Sequence, residues 1–246
     1  MPWRMKQASV SAIARSSRPV PRFTAVARLA VAAVLVAAGA GTAARAQNIV
    51  PNPDFESQLS PWTQFLSAAP DPSGSGAASS WVAAPDINKS ASSGSALIDI
   101  DTTTPATDAS SGIAQCFDLA GATSVDFVNY GVSFLVPSTT TADASLSATV
   151  EVRLYANTGC SGFLSGGSQG QTLTPGTASD STWYKLNDTG FVPPGAPVMV
   201  ASAEVRGYLR QTGPTPTQSD YKANFDHFFL IINSTTPVRL LNFDVE

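Results

Sequence analysis

Two five-residue stretches repeat one chemical pattern, Glu151-Val152-Arg153-Leu154-Tyr155 and Glu204-Val205-Arg206-Gly207-Tyr208. In a β-strand, alternation sends the Glu, Arg and Tyr of each stretch to one face and the Val to the other. A tyrosine ring can stack on the C–H face of a sugar, while a carboxylate and a guanidinium hydrogen-bond its hydroxyls. That mixture suits a neutral glycan. The plainer reading is a solvated sheet face with cross-strand Glu–Arg pairs, worth a few tenths of a kcal/mol each. Trp81 stands in a polar context, Ser79-Ser80-Trp81, and is the tryptophan freest to bind a ligand.

Catalytic chemistry finds few candidates. His227 is the single histidine of the chain and sits beside Asp226 in an apolar run, where a packed histidine is the expected reading. No G-x-S-x-G turn, phosphate loop, dinucleotide fingerprint or zinc spacing occurs. Asp and Glu are plentiful, but no feature selects a pair for glycoside hydrolysis. The chain is therefore expected not to be an enzyme.

The elements that must carry these residues read as all-β. Short β-rich runs alternate with turns of Ser, Thr, Gly and Pro, which predicts a single antiparallel jelly-roll sandwich of about nine or ten strands. The clearest strands are 96–101, 112–119, 125–136, 145–156, 183–191, 198–210 and 222–232, with weaker ones around 48–50, 62–67 and 80–83. Val150, Val152 and Leu154 form one core stripe, and Tyr130, Val132, Phe134 and Val136 another. Segments 68–80, 102–111, 137–144, 161–182 and 212–220 read as loops by composition. The longest, Ser161–Thr182, lacks an apolar period and is a candidate binding loop.

Residues 1–46 read as a signal peptide. Arg4, Lys6, Arg15, Arg18, Arg22 and Arg28 precede an apolar run from Leu29, and Ala44-Arg45-Ala46 supplies an A-x-A cleavage pattern before Gln47. The run is shorter than the ~20 residues of a membrane span. A secreted or periplasmic protein with no stable span is expected, its domain comprising residues 47–246. The first 46 residues hold seven of the 14 Lys and Arg and none of the 18 Asp and Glu, leaving seven cations against 18 carboxylates, a net −11. Such a balance disfavours nucleic acid, whose binding needs clustered cations. Cys116 and Cys160 both fall in the exported part, where pairing is the natural reading of an even count and free buried thiols the alternative.

Three segments resemble one family together. The opening Asn48-Ile49-Val50-Pro51-Asn52-Pro53-Asp54-Phe55-Glu56 with Leu59-Ser60-Pro61-Trp62-Thr63, the passage Trp183 with Val192-Pro193-Pro194-Gly195-Ala196, and the closing Asn224-Phe225-Asp226-His227-Phe228-Phe229-Leu230 are similar to CenC-like carbohydrate-binding modules of the galactose-binding-like jelly-roll superfamily. Pro53 and His227 depart from the usual residues at their positions. The resemblance implies a non-catalytic binding protein and a core role for Trp62 and Trp183. It also implies a structural calcium held by Glu56 and Asp226 with backbone carbonyls. The expected ligand is a neutral polysaccharide or glycan. A structural or adhesive protein of the envelope or matrix that binds another protein is the alternative, and a secreted hydrolase the weaker one.

Overall fold

In a computed structural model, the described residues are 47–233 without 57, 68–77, 102–108, 138–142, 174–181 and 214–219. The expected signal segment lies outside them. Ten strands occur in chain order: β1 (Thr63–Leu66), β2 (Ala78–Val82), β3 (Ser95–Asp101), β4 (Ser110–Val125), β5 (Phe127–Leu135), β6 (Asp143–Asn157), β7 (Ser161–Leu173), β8 (Trp183–Phe191), β9 (Val198–Gln211) and β10 (Asp220–Asn233). They pair antiparallel into two five-stranded sheets, β1-β4-β9-β6-β7 and β2-β3-β10-β5-β8. The all-β sandwich expected from the sequence is the fold.

The core follows the alternation. Val150, Val152 and Leu154 of β6 face Tyr130, Val132 and Phe134 of β5 across the interior, each 1% exposed or less. Gly207 points inward in β9 because a Cβ there would lie 2.4 Å from the Phe228 ring. This close approach accounts for a glycine in β9 where the matching stretch of β6 has Leu154.

The opening and closing segments of the resemblance meet in space. Asn48 accepts from the Val50 and Leu230 amides and donates to the Phe228 carbonyl, and the Phe228 amide donates to Pro53. Phe55, Trp62 and Phe228 form one aromatic cluster, with centroids 4.3–5.9 Å apart. Residues 48–50 are thus tied to β10 by hydrogen bonds without forming the strand expected there. The expected 125–136 strand also divides, with a bend at Asp126 separating β4 from β5.

The largest correction concerns Ser161–Thr182. Its first part is not a loop but β7, an edge strand of 13 residues paired along β6. The core-facing positions of β7, opposite Leu154, Val152 and Val150, are Ser165, Gly167 and Gln169. No apolar stripe marks the strand in sequence because both of its faces are polar or small. Gly167 is required by the fold, since a Cβ there would sit 2.9 Å from both Phe191 and the Tyr130 hydroxyl.

Candidate functional site

The two E-V-R-x-Y stretches fall on β6 and β9, adjacent strands of one sheet. Their antiparallel register sets Glu151 opposite Arg206 and Arg153 opposite Glu204. Because Val152 and Val205 point into the core, all four charged side chains emerge on the outer face.

There they form one connected network. Arg153 Nε donates to Glu151 Oε1 at 2.6 Å, and Arg206 Nη2 donates to Glu204 Oε2 at 2.9 Å. Arg206 Nη1 lies 3.7 Å from Glu151 Oε2, which joins the two pairs. Glu151, Glu204 and Arg206 retain only 13–16% of their side-chain exposure, while Arg153 retains 35%. Arg206 Nε is buried with no hydrogen-bond partner.

The tyrosines do not play the expected part. Tyr155 and Tyr208 are each 7% exposed. The Tyr155 hydroxyl donates to Glu204 at 2.7 Å, and the Tyr208 hydroxyl donates to Glu151 at 3.4 Å. Burial, reinforced by the neighbouring carboxylates, raises both phenols, Tyr208 to about 12. Neither ring offers a free stacking surface. The neighbouring strands supply the reason: Phe65 of β1 packs 5.3 Å from Tyr208, and Phe163 of β7 packs edge-on 5.9 Å from Tyr155.

These two phenylalanines are the functional candidates that sequence reasoning misses. Phe163 is 59% exposed, with the Arg153 guanidinium 5.7 Å from its ring centre. Phe65 is half-buried, with the Arg206 guanidinium 4.5 Å from its ring centre. The outer face therefore presents a partly desolvated Glu–Arg network between aromatic rings at its two edge strands.

One end of this face is closed covalently. The Cys116–Cys160 disulfide joins β4 to the turn between β6 and β7, crossing β9, with the Cα atoms 6.0 Å apart. The Cys160 amide donates to the Ser202 hydroxyl, which in turn donates to the Asn157 carbonyl. The turn is thereby fixed over Ser202 beside Tyr155.

Trp81 lies elsewhere. It belongs to β2, an edge of the opposite sheet, and its Nε1 donates to the Phe55 carbonyl at 2.8 Å while the ring packs against the core. It is neither free nor part of the Glu–Arg face. Nor does it meet β7 to form a second site, because β7 packs beside β8, at the far edge of Trp81's sheet. Trp62 is in the core as expected, whereas Trp183 is half-buried on edge strand β8.

The proposed calcium ligands differ in setting. Asp226 is fully buried, and its oxygens accept from the amides of Ile87 and His227 at 3.0 and 2.7 Å. Burial pushes this carboxyl up to about 7 against those two hydrogen bonds, with Asp54 and Asp86 adding repulsion. Glu56 is exposed and borders an open 340 Å³ recess with Asn52, Pro53 and Asp54. His227 is not the packed histidine expected from its apolar run; it is exposed at a bulge of β10, with φ 55°, and its Nδ1 meets Asp54 at 2.8 Å. Among the described residues, no three His, Cys, Asp or Glu side chains group together, so a calcium here would draw on Glu56, Asp226 and backbone carbonyls alone.

No family model and no curated protein matches the chain. Solved structures of similar outline do exist. The enzymatically active domain of tailspike protein 4 of bacteriophage CBA120 gives a TM-score of 0.48 at 14% identity, covering 76% of this chain and 21% of that one. The CBM22-1–CBM22-2 tandem domain of Xyn10C from Paenibacillus barcinonensis gives 0.43 at 11%, covering 80% and 52%. The family 11 carbohydrate-binding module from Clostridium thermocellum, in complex with a mixed-linked tetrasaccharide, gives 0.40 at 14%, covering 75% and 94%. This chain thus spans about a fifth of the tailspike chain and half of the tandem. No residue role is carried over from them; the sandwich rests on the strand pairing itself.

Proposed function

We propose that the chain is an exported, non-catalytic binding protein, CenC-like in kind, that holds a neutral glycan on the outer face of β1-β4-β9-β6-β7. One observation carries this reading: the four charged side chains of the repeated stretches converge into a single partly desolvated network, flanked by the exposed ring of Phe163. Mutual ion pairs hold the carboxylates and guanidiniums in fixed positions, so hydroxyls meet preorganised partners. Arg153 is the most open of the four, and its five donors exceed what its contacts to Glu151 and Tyr155 use, which leaves others for a ligand. A ring beside it supplies the apolar surface that a sugar's C–H face needs. The net charge of −11 favours an uncharged ligand over a polyanion.

A glycan array tests this directly. The unaltered protein is expected to retain neutral oligosaccharides, and Phe163→Ala and Arg153→Ala each to weaken binding by about 1 kcal/mol or more with the fold intact. Binding that survives both substitutions would move the site off this face. An array without any bound glycan would favour the adhesive alternative, for which exposed Phe163 and Leu164 also suit a protein partner. Turnover of chromogenic glycosides or esters would instead revive the hydrolase reading.

Calcium held through Glu56 and Asp226 is a separate part of the proposal. Its support is the fully buried Asp226 carboxylate on β10, two residues from Phe228, whose amide ties the strand to the Pro53 carbonyl next to Glu56's segment. Calcium would bind and order that corner. At a hundred times its Kd, it would stabilise the fold by about 2.7 kcal/mol. An identical Tm in chelator and in millimolar calcium, after complete removal of bound ion, contradicts it.

A further inference from the structure

The two flanks of the Glu–Arg network differ in what covers them. Toward β4, the residues opposite Glu204 and Arg206 are Cys116 and Ala114. Cys116 is locked in the disulfide, and the Phe65 ring caps the Arg206 guanidinium at 4.5 Å. Toward β7, the residues opposite Arg153 and Glu151 are Gly166 and Ser168, both exposed. Phe163 and Gly170 lie beyond them on the same face, opposite Tyr155 and Thr149, and are exposed as well. The network therefore opens over β7, where Arg153 is its least buried member. Gly170 adds a second observation. A Cβ at Gly166 would press to 2.7 Å against the Val152 carbonyl, so packing requires that glycine. At Gly170 the nearest atom would be Thr149 Oγ1 at 3.4 Å, an ordinary contact, and no left-handed φ demands glycine there. Glycine weakens a strand interior, and one that packing does not require fits a close approach of ligand to backbone.

We infer that the ligand lies lengthwise on β7, as a linear neutral glycan chain whose far units rest over Ser168 and Gly170. The inference rests on the proposed glycan reading of this face and adds the direction and the length class of the ligand. One sugar stacks on Phe163, and Arg153 and Glu151 line the side of the chain with hydrogen-bonding groups. The strand from Phe163 to Gly170 gives about 20 Å of track, room for about four sugar units. A chain laid across the strands would instead leave the network over the Phe65 cap or the disulfide, where Arg206 and Glu204 keep only 13% of their side-chain exposure. The track uses the face of β7 and is indifferent to what its backbone edge pairs with.

Titration calorimetry on the full chain, with neutral gluco-, xylo- and manno-oligosaccharides of increasing length, reads the outcome. The series that binds is expected to tighten by about tenfold from disaccharide to tetrasaccharide and then to level off. Gly170→Leu is expected to bring the tetrasaccharide back to the affinity of the disaccharide, with unchanged far-ultraviolet dichroism. Thr63→Leu, on the capped flank of the same face, is the control and is expected to keep the gain with length. Should Gly170→Leu misfold, amide exchange on the unaltered chain decides, with protection reaching residues 168–170 under the tetrasaccharide and stopping short of them under the disaccharide. Affinity that does not change with length overturns the inference, as does a gain with length that survives Gly170→Leu in a folded variant. If binding in either case still requires Phe163 and Arg153, the glycan reading stands and only the track falls. Binding of none of these oligosaccharides overturns both.

Discussion

Tyr208 supports the candidate face and does not present it to a ligand. Its ring is packed beside Phe65 and its hydroxyl reaches Glu151, so Tyr208→Ala opens a gap under β1 and leaves that carboxylate short of a donor. The expected cost is about 3 kcal/mol, read as a lower denaturant midpoint, whereas removal of an exposed binding ring would leave stability nearly unchanged. The same residue predicts an alkaline transition. Its folded pKa of about 12 lies above the ordinary value of 10.0, because burial disfavours the phenolate and Glu151 repels it. A raised pKa means that the folded state holds the proton more tightly. The associated stability is complete below pH 10 and is lost as pH rises toward 12. Tyr208→Phe should flatten this part of the stability profile, followed by tyrosinate absorbance together with unfolding; an unchanged slope would contradict the assignment.

At the scale of elements, the disulfide is the device that shapes the face. It staples β4 to the β6–β7 turn across β9, over a sequence separation of 44. A closed loop of that size removes roughly 4 kcal/mol of unfolded-state freedom. Cys116→Ala with Cys160→Ala should lower stability by about that amount and loosen the turn beside Tyr155, seen as faster amide exchange at 157–161. Unaltered exchange there would show that the strand pairing alone holds the turn. The elements also show what the sequence could disclose. Alternation in 149–155 and 204–208 places Glu151, Arg153, Glu204 and Arg206 outward, and inspection alone finds them. The adjacency of β6 and β9, and the register that interlocks the four charges, arise only from strand order. β7 stays hidden because an edge strand with Ser165, Gly167 and Gln169 inward has no period-two apolar signal. Phe163 is hidden with it. The tyrosines mislead for a related reason: their burial is imposed by Phe65, on a strand far away in sequence, and by Phe163, on the adjoining strand β7 that shows no apolar period.

For the whole molecule, the two sheets divide the labour. The sheet β2-β3-β10-β5-β8 receives the N-terminal segment, the Phe55–Trp62–Phe228 cluster and the buried Asp226. The other sheet carries the Glu–Arg network and the disulfide. With a net −11 over residues 47–246, binding of an uncharged glycan should respond little to ionic strength, whereas a charged partner would show a steep dependence. The most direct measurement is amide exchange across the whole chain with and without a neutral oligosaccharide that the protein retains. Protection confined to β9, β6 and β7 around Arg206, Glu151, Arg153 and Phe163 is the predicted result. Protection on the opposite sheet or around Trp81, or no oligosaccharide in a broad neutral panel that alters exchange at all, would contradict it.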